Sequence, residues 1–290
     1  MKSHARSLVP ALAKRALIRG VEGYRLATSR LRTTPDFIIV GAQRCGTTSL
    51  YRYLIGHPSV VPASKKEVHF FDFNYEKGLG WYRSHFPLRA YKYYRKTIHG
   101  KSLLTGEASP YYLFHPQALR RIAETFPAIK LIAILRNPID RAYSHYQHEV
   151  RRGHETLSFE EAIDRERQRL QGELDGMLAE ESSCSFAHQH YSYLSRGIYA
   201  TQLCELRRAG FSDEQVLALQ AEEFFGAAEH HFKRLLEFLG LPEWQPEKFE
   251  PFNLLDYEEM GGGMRERLRL FFEPHNQKLY ELLGRDFGWR

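Results

Sequence analysis

Four short apolar runs stand out along the chain: DFIIVG (36–41), LLTGEAS (103–109), IKLIAILR (129–136) and VLALQAE (216–222). They are short and bounded by glycine or polar residues, the pattern of strands buried on both faces. Between and beyond them, apolar positions recur at helical spacing over 116–126, 139–152, 158–180, 197–209, 223–239 and 264–284. The stretch AQRCGTTSLYRYLIGHP, directly after the first run, reads as a loop and then a helix that stops before Pro58. Strands that alternate with helices predict an α/β chain, a three-layer fold in which a central parallel sheet is flanked by helices, with ligands at the carboxyl ends of the strands. The helix-rich stretch 158–212 breaks the alternation and is expected to be an insertion that shapes a cleft. Ordered structure is expected from Pro35, which divides the chain into an extension, 1–34, and one domain, 35–290, a size that one α/β core can serve.

Composition agrees with a large core: 43% of the 290 residues are hydrophobic, with 17 Tyr and 19 Phe. The net charge of +6 changes meaning once it is located. Residues 1–34 carry eight basic residues against Glu22 alone, which leaves 33 basic against 34 acidic in the remainder. A basic globular face tracking a nucleic-acid backbone is thereby disfavoured. Within the extension, ALAKRALIRGVEGYRLATSRLR alternates apolar and basic residues without an 18-residue apolar run or a signal-peptide core, so it is expected neither to span a membrane nor to be cleaved. A basic amphipathic helix of this kind can lie on an anionic membrane surface; a solvated, frayed terminus explains the same pattern. Cys45, Cys184 and Cys204 are odd in number and widely spaced, which fits a reducing, cytoplasmic setting. Pairs such as His188/His190 and His230/His231 lack partners at metal-ligand spacing and read as surface or capping residues, so no metal is expected.

Gly41-Ala-Gln-Arg-Cys-Gly46-Thr47-Thr48 has the spacing of a phosphate-binding loop with Thr47 where the lysine of nucleotide hydrolases would stand. Glycines let backbone amides close around phosphate oxygens, and the helix that follows directs its positive end at them, worth ~0.3–1 kcal/mol. Loss of the lysine argues against ATP or GTP hydrolysis, while a nucleotide with a single 5'-phosphate still fits and Arg44 supplies a cation. A structural strand-to-helix turn has a similar look. In LIAILRNPIDRAYSHYQHE, Arg136 closes a strand, Asn137 caps a helix and Pro138 takes its first position. Ser144 then lies on the helix surface, where it and Arg136 can converge on one phosphate; a cap with a solvent-facing Arg and Ser is the plain alternative.

Together, DFIIVGAQRCGTTSLYRYL, KEVHFFD, GLGWYRSHFP, LRNPIDRAYSHYQHE and the C-terminal LRLFFEPHNQKLYELLGRDFGW resemble the sulfotransferase domain of heparan sulfate 3-O- and N-sulfotransferases and their bacterial relatives, from about residue 36 to the end. The resemblance implies a P-loop-like fold, 3'-phosphoadenosine-5'-phosphosulfate (PAPS) as donor, 3'-phosphoadenosine-5'-phosphate (PAP) as product, and a carbohydrate or glycolipid acceptor without a metal. It implies that residues 41–49, including Arg44, Cys45, Gly46, Thr47, Thr48 and Ser49, hold the 5'-phosphosulfate, and that Arg136 and Ser144 hold the 3'-phosphate.

The same resemblance makes Glu67, in KKEVHFFDFN (65–74), the general base and Arg44 the counterpart of the family's loop lysine. If 67–71 is extended, Glu67, His69 and Phe71 share a face, which puts His69 beside the base; Lys66 and Asp72 are candidates for positioning a sugar. An ion-paired glutamate in a half-buried strand is the plain alternative for Glu67. Trp81, Tyr82 and Tyr112 are candidates for sugar stacking or for the core. Three positions depart from the family. Glu107-Ala108 stands for a Glu-Lys pair, Tyr257 is followed by Glu258 rather than proline in a loop expected to close on the 3'-phosphate with Gly261 to Gly263, and a cysteine pair of the animal enzymes is missing. The competing functions are a P-loop kinase or NTPase and a catalytically inactive nucleotide-binding scaffold.

Overall fold

A computed structural model describes residues 11–100, 102–180, 183–250 and 260–289. Helix α1 (Ala11–Ala27) precedes β1 (Phe37–Gly41), α2 (Thr47–Gly56) and β2 (Val60–Pro62). Helices α3 (Gly78–Ser84) and α4 (Arg89–His99) lead to β3 (Leu104–Ala108), α5 (Ala118–Thr125), β4 (Lys130–Leu135) and α6 (Pro138–Arg151). The expected insertion holds α7 (Phe159–Arg169), α8 (Glu173–Ala179), α9 (Phe186–His190) and α10 (Tyr199–Arg208). The chain then forms β5 (Val216–Gln220), α11 (Ala221–Gly226), α12 (Ala228–Leu239) and α13 (Gly262–Leu283).

The five strands pair in the order β2-β3-β1-β4-β5, every pair parallel. All five residues of β1 are buried, as a strand covered on both faces requires. From β1 the chain first builds toward β2 and β3 and then crosses to β4 and β5, so connections leave the carboxyl ends of β1 and β4 in opposite directions. The crevice between them is where an open parallel sheet binds ligands.

Several elements differ from the sequence reading. The helix expected over 158–180 is two, because Gly172 takes φ 78° between α7 and α8, and α7 starts at a Ser158–Glu161 capping box. Likewise 223–239 divides at Ala227 into α11 and α12. Strand β2 is three residues ending in proline, admissible at a sheet edge but too short for a periodicity signal. The insertion has a small core of its own, in which Phe159, Ala162, Ile163 and Tyr193 pack with Ile139 and Ala142 of α6 and Leu268 and Phe272 of α13.

The end of the extension is docked on the domain. Arg25 Nε donates to Ser84 O at 2.7 Å, and the buried Arg32 donates through Nη1 to Phe86 O at 2.8 Å. Leu17, Ile18, Val21 and Tyr24 of α1 remain exposed. No helix among the described residues is long and apolar enough to cross a membrane.

Candidate active site

The phosphate side grows from the carboxyl end of β1. The loop turns through left-handed backbone at Arg44 (φ 69°) and Gly46 (φ 91°) and enters α2 with Gly46 as N-cap. A Cβ on Gly46 would stand 2.5 Å from the Phe225 ring, so both its dihedral and its packing call for glycine. No side chain caps this helix and its first turn holds no acid. The first-turn amides, which a helix cannot satisfy internally, together with the positive end of the dipole, suit an anion. The Cys45 side chain is buried, with Sγ 3.6 Å from Tyr199 Oη, and burial pushes its thiol pKa up; its place in the site is a backbone one.

Across the crevice, β4 delivers Arg136 and α6. Asn137 Oδ1 accepts from Ile139 N at 3.0 Å and Pro138 begins the helix, the cap the sequence suggested. Asn137 N in turn donates to Glu222 at 2.7 Å. Ser144 follows on α6, and its Oγ accepts from both Nε and Nη2 of Arg44 at 3.2 Å. Residues assigned to different phosphates thus meet directly: Arg44 bridges the loop after β1 to the helix after β4.

The acceptor side is not a strand, contrary to expectation. Glu67 (φ 60°) and His69 (φ 54°) both adopt left-handed backbone, so alternation does not govern where their side chains point. Buried Glu107 at the end of β3 fixes the segment instead. Its Oε1 accepts from Tyr82 and Tyr112 hydroxyls at 2.9 and 3.0 Å, and its Oε2 from Ser109 Oγ at 2.6 Å and Val68 N at 3.3 Å. Further bonds run from Glu67 N to Ala108 O (3.0 Å), His69 N to Ser109 Oγ (3.1 Å) and Phe70 N to Tyr112 Oη (2.7 Å). Glu67 and His69 do come side by side, with His69 Nε2 at 3.5 Å from Glu67 Oε2, and Lys66 pairs with the other carboxylate oxygen. His69 Nδ1 lies 2.7 Å from Asp72 Oδ2.

Burial opposes charge on Glu67, but the His69 and Lys66 contacts outweigh it and hold the carboxyl at about 2. Burial likewise opposes charge on His69, and Asp72 and Glu67 overturn it, raising the imidazole to about 9. At neutral pH the group is therefore an ionised glutamate flanked by two cations, with Asp72 behind.

One cleft of about 930 Å³ is lined by Arg44, Cys45, Gly46, Thr47, Thr48, Ser49, Glu67, His69, Arg136 and Ser144, so most of the candidate residues converge on it. Asp72 does not: its side chain is fully covered, and it orients His69 rather than meeting a sugar. Lys66 is spent on Glu67 and is not part of the lining. Gly261 caps α13 and is outside the lining, and Tyr257 lies outside the described residues. Tyr82 and Tyr112 are core residues holding Glu107, which removes them as stacking groups. His188 and His190 are buried, not surface residues. Sequence reasoning missed His148, Arg152, Gln189 and Phe225 in the lining. The first two had a signal, since they follow Ser144 at i+4 and i+8 on one face of α6 and just past its end.

Residues 35–246 match the profile described as "Sulfotransferase family". Among curated proteins, the membrane-associated sulfotransferase kil1 of Dictyostelium discoideum is 25% identical over 90% of this chain and 68% of its own length. Heparan sulfate glucosamine 3-O-sulfotransferase 3A1 of Mus musculus is 30% identical over 88% of this chain and 64% of its own. The chain thus spans about two thirds of the length of these curated relatives. The crystal structure of a sulfotransferase from Alicyclobacillus acidocaldarius superposes with a TM-score of 0.67 at 33% identity, covering 89% of this chain and 99% of that one.

Proposed function

The chain belongs to the sulfotransferase family, and from that premise we propose that it transfers the sulfuryl group of PAPS to a hydroxyl or amine of a carbohydrate-type acceptor, with Glu67 as general base. One observation carries the reading. A single cleft sets an uncapped helix start, Arg44 and Arg136 on one side and an ionised carboxylate on the other. That is the polarity in-line group transfer needs, with cations for the leaving phosphate and a proton acceptor for the attacking atom.

In this reading the first-turn amides of α2 and Arg44 hold the 5'-phosphosulfate, and Arg136 with Ser144 holds the 3'-phosphate. The acceptor oxygen or nitrogen attacks sulfur, the bond from sulfur to the 5'-phosphate oxygen breaks, and the acceptor proton passes to Glu67. PAP leaves with its new negative charge facing Arg44. A carboxyl held at about 2 is a weak base, so an acceptor that displaces Lys66 from it strengthens it at the moment of use. His69, positively charged, holds the carboxylate in place and offers a hydrogen bond to the acceptor. Support for a carbohydrate acceptor comes from the heparan sulfate glucosamine 3-O-sulfotransferases among the relatives.

Nucleotide discrimination tests the donor assignment. Calorimetry on Arg136→Ala is expected to weaken PAP by ~10–100-fold, the loss of a charge-assisted pair, while 5'-AMP, which lacks the 3'-phosphate, changes little. Equal losses for both nucleotides remove Arg136 from the 3'-phosphate. Sulfuryl transfer from labelled PAPS to a panel of polysaccharides, glycolipids and aminosugars then identifies the acceptor, and no transfer to any of them counts against a carbohydrate.

A further inference from the structure

Behind the cleft wall, three imidazoles close on one buried carboxylate. Glu149 sits in the last turn of α6, His154 in the turn after it, and His190 at the end of α9. Nδ1 of His154 and Nδ1 of His190 lie 2.9 and 2.8 Å from Glu149 Oε2, and one ligand-type atom from each of the three residues falls within 4.8 Å of the others. One turn back on α6, His145 brings Nε2 to 3.5 Å from Glu149 Oε1. Glu149 and His145 are fully buried and His190 nearly so, while His154 is partly open to solvent.

We propose that Glu149, His154 and His190 bind a divalent transition-metal ion, zinc by ligand type, through one carboxylate oxygen and two imidazole nitrogens. Imidazole with carboxylate is a donor set that zinc accepts, and three protein ligands leave a fourth position for water on the solvent side of His154. Neighbouring ligand atoms of a tetrahedral zinc site stand ~3.3 Å apart, so each imidazole nitrogen has to recede from Glu149 Oε2 by ~0.5 Å to admit the ion.

A second observation favours an ion over a plain hydrogen-bonded cluster. Glu149 Oε1 and His145 Nε2 are buried and face each other at 3.5 Å, too poorly aligned for a good hydrogen bond, and His145 Nδ1 is buried without one. A cluster that leaves such atoms unsatisfied forfeits stability, and native interiors avoid it. A carboxylate that turns Oε2 onto an ion swings Oε1 as well, and His145 is placed to fix it, as the second layer around bound metals does. Two buried cations, Arg196 and Arg141, lie close enough to act on His145, and each has partners of its own. Arg196 lies on the carbonyls of His188 and Gln189 and over the rings of Tyr111 and Phe114, and Arg141 has Glu166 nearby.

The site joins α6, the turn behind it and α9, and two of its three ligands are sequence-adjacent to cleft residues: Glu149 to His148, and His190 to Gln189. Its role is a clip that holds this wall of the cleft, independent of the sulfuryl-transfer chemistry.

Untagged full-length protein, stripped with chelator and dialysed, is titrated with Zn²⁺ by calorimetry and with Co²⁺ by visible absorption. One ion per chain is expected, with a tetrahedral Co²⁺ spectrum and a higher melting temperature on loading. His190→Ala is expected to weaken binding at least ~10-fold. His154→Gln, at the partly exposed rim, repeats the test without emptying the interior, and His231→Ala is expected to leave binding unchanged. No stoichiometric metal on the wild-type chain, or unchanged affinity in His154→Gln, overturns the site and leaves a carboxylate–imidazole hydrogen-bond cluster.

Discussion

Glu67 and His69 stabilise each other's charge, and the pH behaviour of that pair follows from the directions of their shifts. His69 titrates near 9 when folded, above its ordinary value of ~6.5, so its contribution to stability is complete below ~6.5 and disappears as pH rises through about 9. Glu67 titrates near 2, below its ordinary value of ~4.3. Its contribution is present above that value and is lost as pH falls through about 2. Thermal melts of the wild type and His69→Ala, compared from pH 6 to 10, are expected to converge at the alkaline end; a gap that stays constant removes the coupling. Glu107 drew notice in the sequence only through its neighbour Ala108, which stands where the family has lysine, and not as an organiser. Glu107→Ala strips an acceptor from three buried hydroxyls, at a cost of ~1–3 kcal/mol for each left unmade, and is expected to lower both the melting temperature and kcat because the 67–71 segment loses its anchor. Unchanged stability places the anchoring elsewhere.

Elements were legible where the signal is local. The runs at β1, β3, β4 and β5, the loop spacing at 41–48 and the Asn137-Pro138 helix start each depend on residues that neighbour one another in sequence, and they appear where expected. The segment 65–74 failed for a complementary reason. Its alternation of polar and apolar residues looks like a strand, but contacts with Glu107 and Tyr112, about 40 residues later, pull Glu67 and His69 into left-handed backbone. Gly46 is where local and distant demands coincide, since both φ 91° and the Phe225 ring exclude a side chain. Gly46→Ala is expected to lower PAP affinity ~10-fold or more, given ~1–3 kcal/mol of backbone strain before the clash; affinity within twofold of wild type contradicts the loop's role as the phosphate cradle.

For the whole molecule, the division at Pro35 describes charge better than packing. The basic excess belongs to residues 1–34, yet Arg32 is buried against Phe86 O and its own carbonyl accepts from Arg89 Nε at 3.1 Å. A chain starting at residue 35 is therefore expected to melt at a lower temperature than one starting at residue 24, by differential scanning calorimetry, and equal values make the docking energetically idle. The remaining exposed face of α1, with Leu17, Ile18 and Val21 among basic residues, supports a proposal of peripheral contact with anionic membranes. Co-sedimentation with phosphatidylserine vesicles that salt abolishes is the expected result, and no pelleting of the full chain refutes it. No sequence window reveals how Glu67, Arg44 and Ser144 meet, because three separate connections of the sheet bring them to one crevice. That convergence is tested most directly by Glu67→Gln, measured for sulfuryl transfer from labelled PAPS and for PAP affinity on the same preparation. Transfer falling ~10²–10⁴-fold with PAP affinity nearly intact is the expected result, and near-normal turnover contradicts Glu67 as the base.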